Sequence, residues 1–185
     1  MDEIKLRNKL VNAMKYLIPI KYQTRPMSGY VKQLQSIGLL LDNITFVEIG
    51  ADLCKNAENI IQHIKLDKLI LVDPYLDGER RYNIAKSKVN HYFHMTLLRQ
   101  TSKEAVKGFK DNSVDVVYID GNHEYDYVKE DIEIWYPKVK PGGVIGGHDF
   151  RGHALGVILA VTDYVNENKL RDKLQSGGVD WWIRK

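Results

Sequence analysis

The stretch Val114-Asp115-Val116-Val117-Tyr118-Ile119-Asp120-Gly121-Asn122-His123-Glu124-Tyr125 decides the fold of this chain. Its first six residues are β-branched or aromatic apart from one acid, and they stop at Asp120-Gly121, a pair that turns a chain sharply. The run reads as a strand that ends on a carboxylate. Beyond the turn, Val128, Ile132 and Trp135 recur at helical spacing, and Pro137 stops that helix. Pro141-Gly142-Gly143 then turns the chain into Val144-Ile145, a second strand that ends near His148-Asp149.

The same alternation continues outward. On the amino-terminal side, Asp111-Asn112-Ser113 makes a turn after a short helix carrying Ala105, Val106 and Phe109. A strand over about 92–98 and a helix over 79–89 come before it. Leu69 to Val72 is a strand ending at Asp73-Pro74, Ala57, Ile60, Ile61 and Ile64 form one helical stripe, and Ile44 to Ile49 is a strand stopping at Gly50. On the carboxyl-terminal side, Leu155, Ile158, Leu159, Thr162 and Val165 predict a helix, and Val179 to Ile183 a closing strand. Trp181 and Trp182 alternate across that strand, which makes one of them a candidate for exposure. Farther upstream, Val11, Met14, Leu17 and Ile18 share a helical face that Pro19 ends, 19–27 reads as a loop, and Ser28 is a candidate cap for a helix with Val31, Leu34 and Leu41. Strands alternating with helices imply right-handed crossovers. The expected fold is α/β: a doubly wound, mostly parallel sheet in a three-layer α/β/α arrangement. One domain is expected over 1–185, with 1–42 a helical extension able to cover a bound cofactor.

Composition is that of an ordinary globular protein, with 185 residues, 44% hydrophobic and 28% charged. A net charge of +3 without a basic stripe gives no reason to expect nucleic acid. No apolar run approaches the roughly 20 residues of a membrane span. The amino terminus has no signal-peptide apolar block, and Cys54 is the one cysteine, so the expectation is a cytoplasmic protein without an intrachain disulfide.

A parallel sheet binds ligands beyond the carboxyl ends of its strands. Four strands here end in an acid or an acid beside glycine: Glu48-Ile49-Gly50, Asp73-Pro74, Asp120-Gly121 and His148-Asp149. Turns alone favour Asp and Gly, but not an acid at every such end. Gly50 lets the backbone approach a ligand at the first turn. Asp73, 25 residues after Glu48, stands where an acid accepts from ribose hydroxyls. The turn Gly50-Ala51-Asp52-Leu53-Cys54 lacks the second and third glycines of a dinucleotide fingerprint, and Glu48 and Asp52 would repel a diphosphate. An acidic cradle suits ribose, an ammonium and a sulfonium, which favours S-adenosylmethionine over NAD.

With these segments in that order, the chain from about 44 to 185 resembles the class I S-adenosylmethionine-dependent methyltransferases, in particular the group called methyltransferase family 24. The residues that carry the resemblance are Phe46 to Gly50, Leu71 to Pro74, Val114 to Tyr125, then Asp131, Trp135, Pro137 and Pro141 to Phe150. One departure is Cys54, where the family usually has glycine; it points to a tighter cradle or altered cofactor affinity. The resemblance implies a cofactor set of Glu48, Gly50, Asp73, Pro74, Thr101, Ser102 and Asp120, with Glu48 and Gly50 at the methionine end, Asp73 on ribose and Thr101-Ser102 near adenine. Ser102 is equally a candidate helix cap.

Asp120, His148 and Asp149 would converge if their strands are neighbours, and carboxylates of this kind suit a divalent metal, Mg²⁺ or Mn²⁺, able to lower the pKa of an acceptor hydroxyl. Sugar and catechol O-methyltransferases carry acids after these two strands, which supports Asp120 and Asp149. His148 stands where some of them have Asp, and an imidazole favours Mn²⁺ or Zn²⁺ over Mg²⁺. His123 follows Asp120 by three residues, where catechol-type relatives place a catalytic Lys, and an imidazole there suits a general base. A capping or core histidine is the alternative. His63, His91, His94 and His153 have no partnered spacing. Tyr125 and Tyr127 are candidates for the edge of an acceptor pocket, and Met27 to Tyr30 for a lid. The expected activity is O-methylation of a small hydroxyl-bearing acceptor such as a sugar. A homo-oligomer is compatible with the sequence; a membrane partner is not expected. The competing readings are a degenerate methyltransferase fold acting as a binding subunit, a metal-dependent phosphoesterase suggested by Gly121-Asn122-His123-Glu124 and Gly147-His148, and an NAD oxidoreductase.

Overall fold

A computed structural model of the chain describes residues 42–185, and all structural statements concern those residues. The helices expected over 11–18 and 28–41, and the proposed cover over the cofactor, lie outside them. Seven strands form one sheet: β1 (Asp42–Ile49), β2 (Lys65–Val72), β3 (Met95–Leu98), β4 (Val114–Ile119), β5 (Val139–Gly147), β6 (Leu174–Gly177) and β7 (Asp180–Arg184). Their order is β3-β2-β1-β4-β5-β7-β6. Strands β1 to β5 pair in parallel, and β7 runs antiparallel to both β5 and β6. The connecting helices are α1 (Lys55–His63), α2 (Glu79–Val89), α3 (Ser102–Ala105), α4 (Tyr125–Trp135) and α5 (Leu155–Glu167).

The central strands are apolar on both faces, and alternation sorts their side chains into two cores. Val47, Val117, Ile119 and Ile145 pack with Val128, Ile132 and Trp135 of α4 and Ile158 and Val161 of α5. Phe46, Leu69, Leu71, Val116 and Tyr118 pack with Ala57 and Ile60 of α1 and Ala85 of α2. This is the doubly wound, three-layer arrangement that the alternating sequence predicts. Asp115, the acid inside β4, accepts from the Thr45 amide at 2.8 Å and from Lys140 Nζ at 2.8 Å, so its charge is matched.

Several boundaries differ from the sequence reading. The third strand starts at Met95, because Tyr92 and Met95 amides close turns onto Val89 and Tyr92 carbonyls. Pro141-Gly142-Gly143 is a bulge inside β5, where the register to β4 slips between Val114 and Val116. Strand β6 was not expected, and β7 is shifted by one residue to Asp180–Arg184. Both Trp181 and Trp182 are buried, one in each core, so neither is exposed.

Candidate active site

The topology gathers the carboxyl ends of β2, β1, β4 and β5 side by side, and with them Asp73, Glu48, Asp120 and His148-Asp149. The ends of β1 and β4 are in very close contact. Gly50 has φ +90°, and a Cβ there would lie 2.2 Å from the Asp120 carbonyl oxygen, so the glycine is required by backbone against backbone. Asp52 (φ 44°) and Cys54 (φ 57°) also take left-handed conformations. These are the positions where a glycine-rich turn would place its remaining glycines, and this chain keeps the turn geometry with side chains on it. Asp52 is half exposed and paired with Arg81 at 3.0 Å, an interaction worth ~0–1 kcal/mol. Asp52→Gly and Asp52→Val both lose that pair, but only valine strains the turn. Urea melts should therefore find the glycine variant more stable than the valine one by about 1–2 kcal/mol; equal stabilities would show that the turn is not left-handed there.

A cavity of about 690 Å³ opens above these strand ends. Of the expected cofactor residues, Gly50, Asp73, Pro74, Thr101, Ser102 and Asp120 line it. Glu48 does not. It is buried on the α1 side beneath the turn, where Asn56 Nδ2 donates to its Oε1 at 2.6 Å and Oε2 has no partner. Burial pushes its carboxyl up to about 8, against the Asn56 hydrogen bond and helped by Asp120 and Asp73. Asp73 accepts from the Asp52 amide at 2.9 Å and from the Tyr75 amide at 2.8 Å, one to each oxygen. Its carboxylate is thus held rigid with lone pairs remaining for a ligand.

The cavity wall carries the acids Asp52, Asp73, Asp77, Asp120, Glu130 and Asp131 against the bases Arg81 and Lys103. Both bases are engaged at the rim, Arg81 with Asp52 and Asp77 and Lys103 with Glu130. Asp73, Asp120 and Asp131 remain as inward acceptors. Thr101, not Ser102, caps α3, through a capping box with Glu104. The Ser102 hydroxyl instead accepts from Trp135 Nε1 at 2.8 Å, and it works against the burial that raises the nearby Asp131 carboxyl to about 6.

At one end of the cavity, Asp120 and Asp149 meet two imidazoles. His123 Nε2 lies 3.2 Å from Asp149 Oδ2 and 3.6 Å from Asp120 Oδ1. His148 Nδ1 lies 3.3 Å from Asp149 Oδ1 and 3.8 Å from Asp120 Oδ1. His123 is 45% exposed on its side chain, which excludes a core role. Burial raises Asp120 to about 6, although His148 and His123 pull it down. Burial also raises Asp149, but His148, Arg151 and His123 outweigh it and hold that carboxyl below its ordinary value. Neighbouring carboxyls driven apart in this way can take different roles at one pH.

Donor atoms of Asp120, His123 and Asp149 all lie within 4.8 Å of one another, close enough to share one cation. The sequence reading named His148 as the nitrogen donor; here His123 belongs to the tightest trio, with His148 beside it. Oxygen and imidazole donors together fit Mn²⁺ or a similar ion better than Mg²⁺. Two neighbours had no sequence signal. Arg151 Nη2 contacts Asp149 Oδ1 at 2.5 Å, and His153 Nε2 approaches the same oxygen at 3.7 Å, because the loop after β5 curls back over its own aspartate. Of the two tyrosines considered, Tyr127 lines the cavity, whereas the Tyr125 hydroxyl donates to Asp163 Oδ2 at 2.9 Å, away from it.

A strand order of 3-2-1-4-5-7-6 with one antiparallel strand, and a ligand cavity over the β1 and β2 ends, define the class I methyltransferase architecture. The sequence profile of a family described as "Methyltransferase domain" matches residues 46–150. The chain belongs to this family, whose members are of the S-adenosylmethionine-dependent class. Among curated proteins it is 40% identical over 83 residues to an uncharacterized protein of Sinorhizobium fredii, covering 43% of this chain and 9% of that one. It is 29% identical over 119 residues to an uncharacterized protein of Acanthamoeba polyphaga mimivirus, covering 60% of this chain and 54% of that one. The chain thus spans about half of one relative and under a tenth of the other. Among solved structures, an O-methyltransferase from Bacillus cereus in complex with S-adenosylhomocysteine superposes with a TM-score of 0.64 at 13% identity, covering 100% of this chain and 92% of that chain. The N-methyltransferase NodS from Bradyrhizobium japonicum gives a TM-score of 0.55 at 15% identity, covering 87% and 96%. These likenesses establish the fold; with oxygen and nitrogen acceptors both among them, they leave the acceptor to be argued from the site. No described helix is long and apolar enough to cross a membrane.

Proposed function

We propose that this chain transfers the methyl group of S-adenosylmethionine to a hydroxyl of a small acceptor such as a sugar, with a divalent cation at Asp120, Asp149 and His148 and with His123 left as the base. The observation that carries the reading is the cavity itself. It presents inward acids at Asp73, Asp120 and Asp131 while both wall cations are engaged with rim acids. A cationic ligand rich in hydrogen-bond donors suits such a wall, and a diphosphate does not.

S-adenosylmethionine supplies an electrophilic methyl group, and a bound cation would lower the pKa of the acceptor hydroxyl. The protein's own part is positioning and proton removal. Asp73 accepts from the ribose hydroxyls, and Gly50 and Pro74 shape the floor beside it. His123, between Asp120 and Asp149, takes the acceptor proton through an imidazole nitrogen. Its two carboxylates orient it and stabilise the imidazolium that forms. Orientation in a displacement of this kind is worth effective molarities of ~10⁵–10⁸ M.

The decisive experiment incubates the protein with S-adenosylmethionine, a pooled library of hydroxylated acceptors and Mn²⁺, and searches for products heavier by one methylene. Parallel arms contain a chelator, or a phosphate ester without S-adenosylmethionine. Turnover only in the last arm would replace the proposal with a phosphoesterase, and failure to bind S-adenosylhomocysteine would leave a binding subunit on a methyltransferase fold. Asp73→Ala should weaken S-adenosylhomocysteine about 10- to 100-fold in calorimetry, since hydrogen bonds to a charged acceptor contribute ~1.5–3 kcal/mol. Unchanged affinity would remove Asp73 from the ligand.

A further inference from the structure

Arg151 is a permanent cation at the acceptor end of the site, and methyl transfer to a neutral sugar has no use for it. Its Nη2 contacts Asp149 Oδ1 at 2.5 Å, while His123 Nε2 lies 3.2 Å from the other oxygen of the same carboxylate. We infer that Arg151 grips an oxyanion, a carboxylate or a phosphate, on the acceptor and so decides which hydroxyl of an acidic sugar meets His123. The inference rests on the methyl-transfer reading and names the chemical class of its acceptor.

The loop that carries Arg151 is held from both ends. Asp149 takes a left-handed turn (φ 57°), and the Arg151 amide donates back to the Asp149 carbonyl at 2.7 Å. Between them Phe150 is fully buried, and its amide donates to the Val179 carbonyl at 2.8 Å. The Ala154 amide then closes onto the Arg151 carbonyl at 2.9 Å, just before α5. That helix is packed against the turn carrying the base. A Cβ on Gly156 would lie 2.3 Å from the His123 carbonyl oxygen and 2.8 Å from the Tyr125 amide nitrogen. Arg151 and His123 therefore share one rigid frame, joined through backbone contact.

Charge decides what the guanidinium can hold. Arg81 and Lys103 on the cavity wall pair with rim acids that no ligand claims. Arg151 pairs with an acid that the proposed cation claims. With a divalent cation on Asp120 and Asp149 the two carboxylates are cancelled, and the guanidinium charge is left over before any imidazole is counted. The sulfonium that must face the acceptor adds another, so even a deprotonated hydroxyl leaves this end positive. Arg151 also keeps donors in reserve. Only one prong reaches Asp149, Nε–H has no partner, and 40% of the side chain is open to solvent. A planar guanidinium fork matches the paired oxygens of a carboxylate or phosphate. A neutral hydroxyl offers it neither charge nor a second acceptor.

The test is calorimetric titration of glucuronate, glucose 6-phosphate and glucose into the S-adenosylhomocysteine complex with Mn²⁺, beside a thermal melt of each variant. The parent should bind one of the two acidic sugars about tenfold or more tightly than glucose, and which one it binds separates carboxylate from phosphate. Arg151→Gln should erase that preference, a loss of about ten- to a hundredfold in affinity for the acidic sugar. Arg151→Lys keeps the charge without the fork and should fall between the two. The lysine variant carries the test alone if Arg151→Gln fails to fold. A parent that ranks glucose with or above both acidic sugars, that binds none of the three, or whose preference is unchanged in the folded variants overturns the inference while S-adenosylhomocysteine binding stands. A parent that does not bind S-adenosylhomocysteine overturns the methyl-transfer reading with it.

Discussion

Asp120→Asn should abolish measurable methyl transfer, a loss of about a thousandfold or more, in a protein that still folds. The carboxylate stands between both imidazoles, 3.6 Å from His123 Nε2 and 3.8 Å from His148 Nδ1, and the amide keeps its shape while losing its charge. General-base catalysis is typically worth ~10²–10⁴-fold, and the same substitution weakens any cation shared with Asp149. The fold should tolerate it for an electrostatic reason. Burial raises the folded-state carboxyl to about 6, so its ionisation opposes folding. For a raised acid, stability is fully present below the unfolded value and is lost as pH climbs through the folded one. Relative to the parent, the Asn variant should therefore gain stability between about pH 4 and 6 and hold that gain above. Urea melts across that range check the sign, and a single-turnover assay checks the chemistry. Retained activity in chelator for both Asp120→Asn and Asp149→Asn would end the metal-assisted reading.

Gly50→Ala should be the most damaging glycine-to-alanine substitution among the described residues. Its Cβ would meet the Asp120 carbonyl oxygen at 2.2 Å, its carbon at 2.5 Å and the Gly121 Cα at 2.7 Å, all of them backbone. No rotamer relieves such a clash. Overpacking of this kind costs about 1–3 kcal/mol, and a left-handed alanine about 1–2 more. A melting temperature lower by roughly 10 °C, or an insoluble product, is the expected result. Gly121→Ala is the control. There the nearest atom to a new Cβ is Ile49 Cγ2 at 3.8 Å, an ordinary contact. If the two variants melt together, β1 and β4 do not meet as closely as described.

The contrast between these glycines also shows what was legible in the sequence. The central strands could be read because both faces are buried, which leaves continuous apolar runs ending on Glu48, Asp120 and their neighbours. Strand β6 could not, since Leu174 to Gly177 is short, half exposed and polar, and pairs only at the sheet edge. The amino-terminal half of β2, with Lys65, Asp67 and Lys68, is charged for the same reason of exposure. Within the site, acids at strand ends were visible because topology alone brings them together. Arg151 and His153 were not, because their approach to Asp149 depends on a loop turn that no periodicity encodes. The resemblance implies Ser102 near adenine, but only the structure shows that the Trp135 indole donates to its hydroxyl. Gly50 reads as a residue sparing room for a ligand; the structure shows that it spares room for Asp120.

The three tryptophans give this protein a built-in optical assay. Trp135 and Trp181 lie in one helix-facing layer and Trp182 in the other, all shielded from water. Their emission should be blue-shifted in the native state, and one spectrum follows the melting of both halves of the sandwich together. Trp135 adds local information, because its indole proton is bonded to Ser102 in the cavity wall. Nucleoside entry should therefore perturb fluorescence with no label attached, giving a direct titration signal for the unmodified chain.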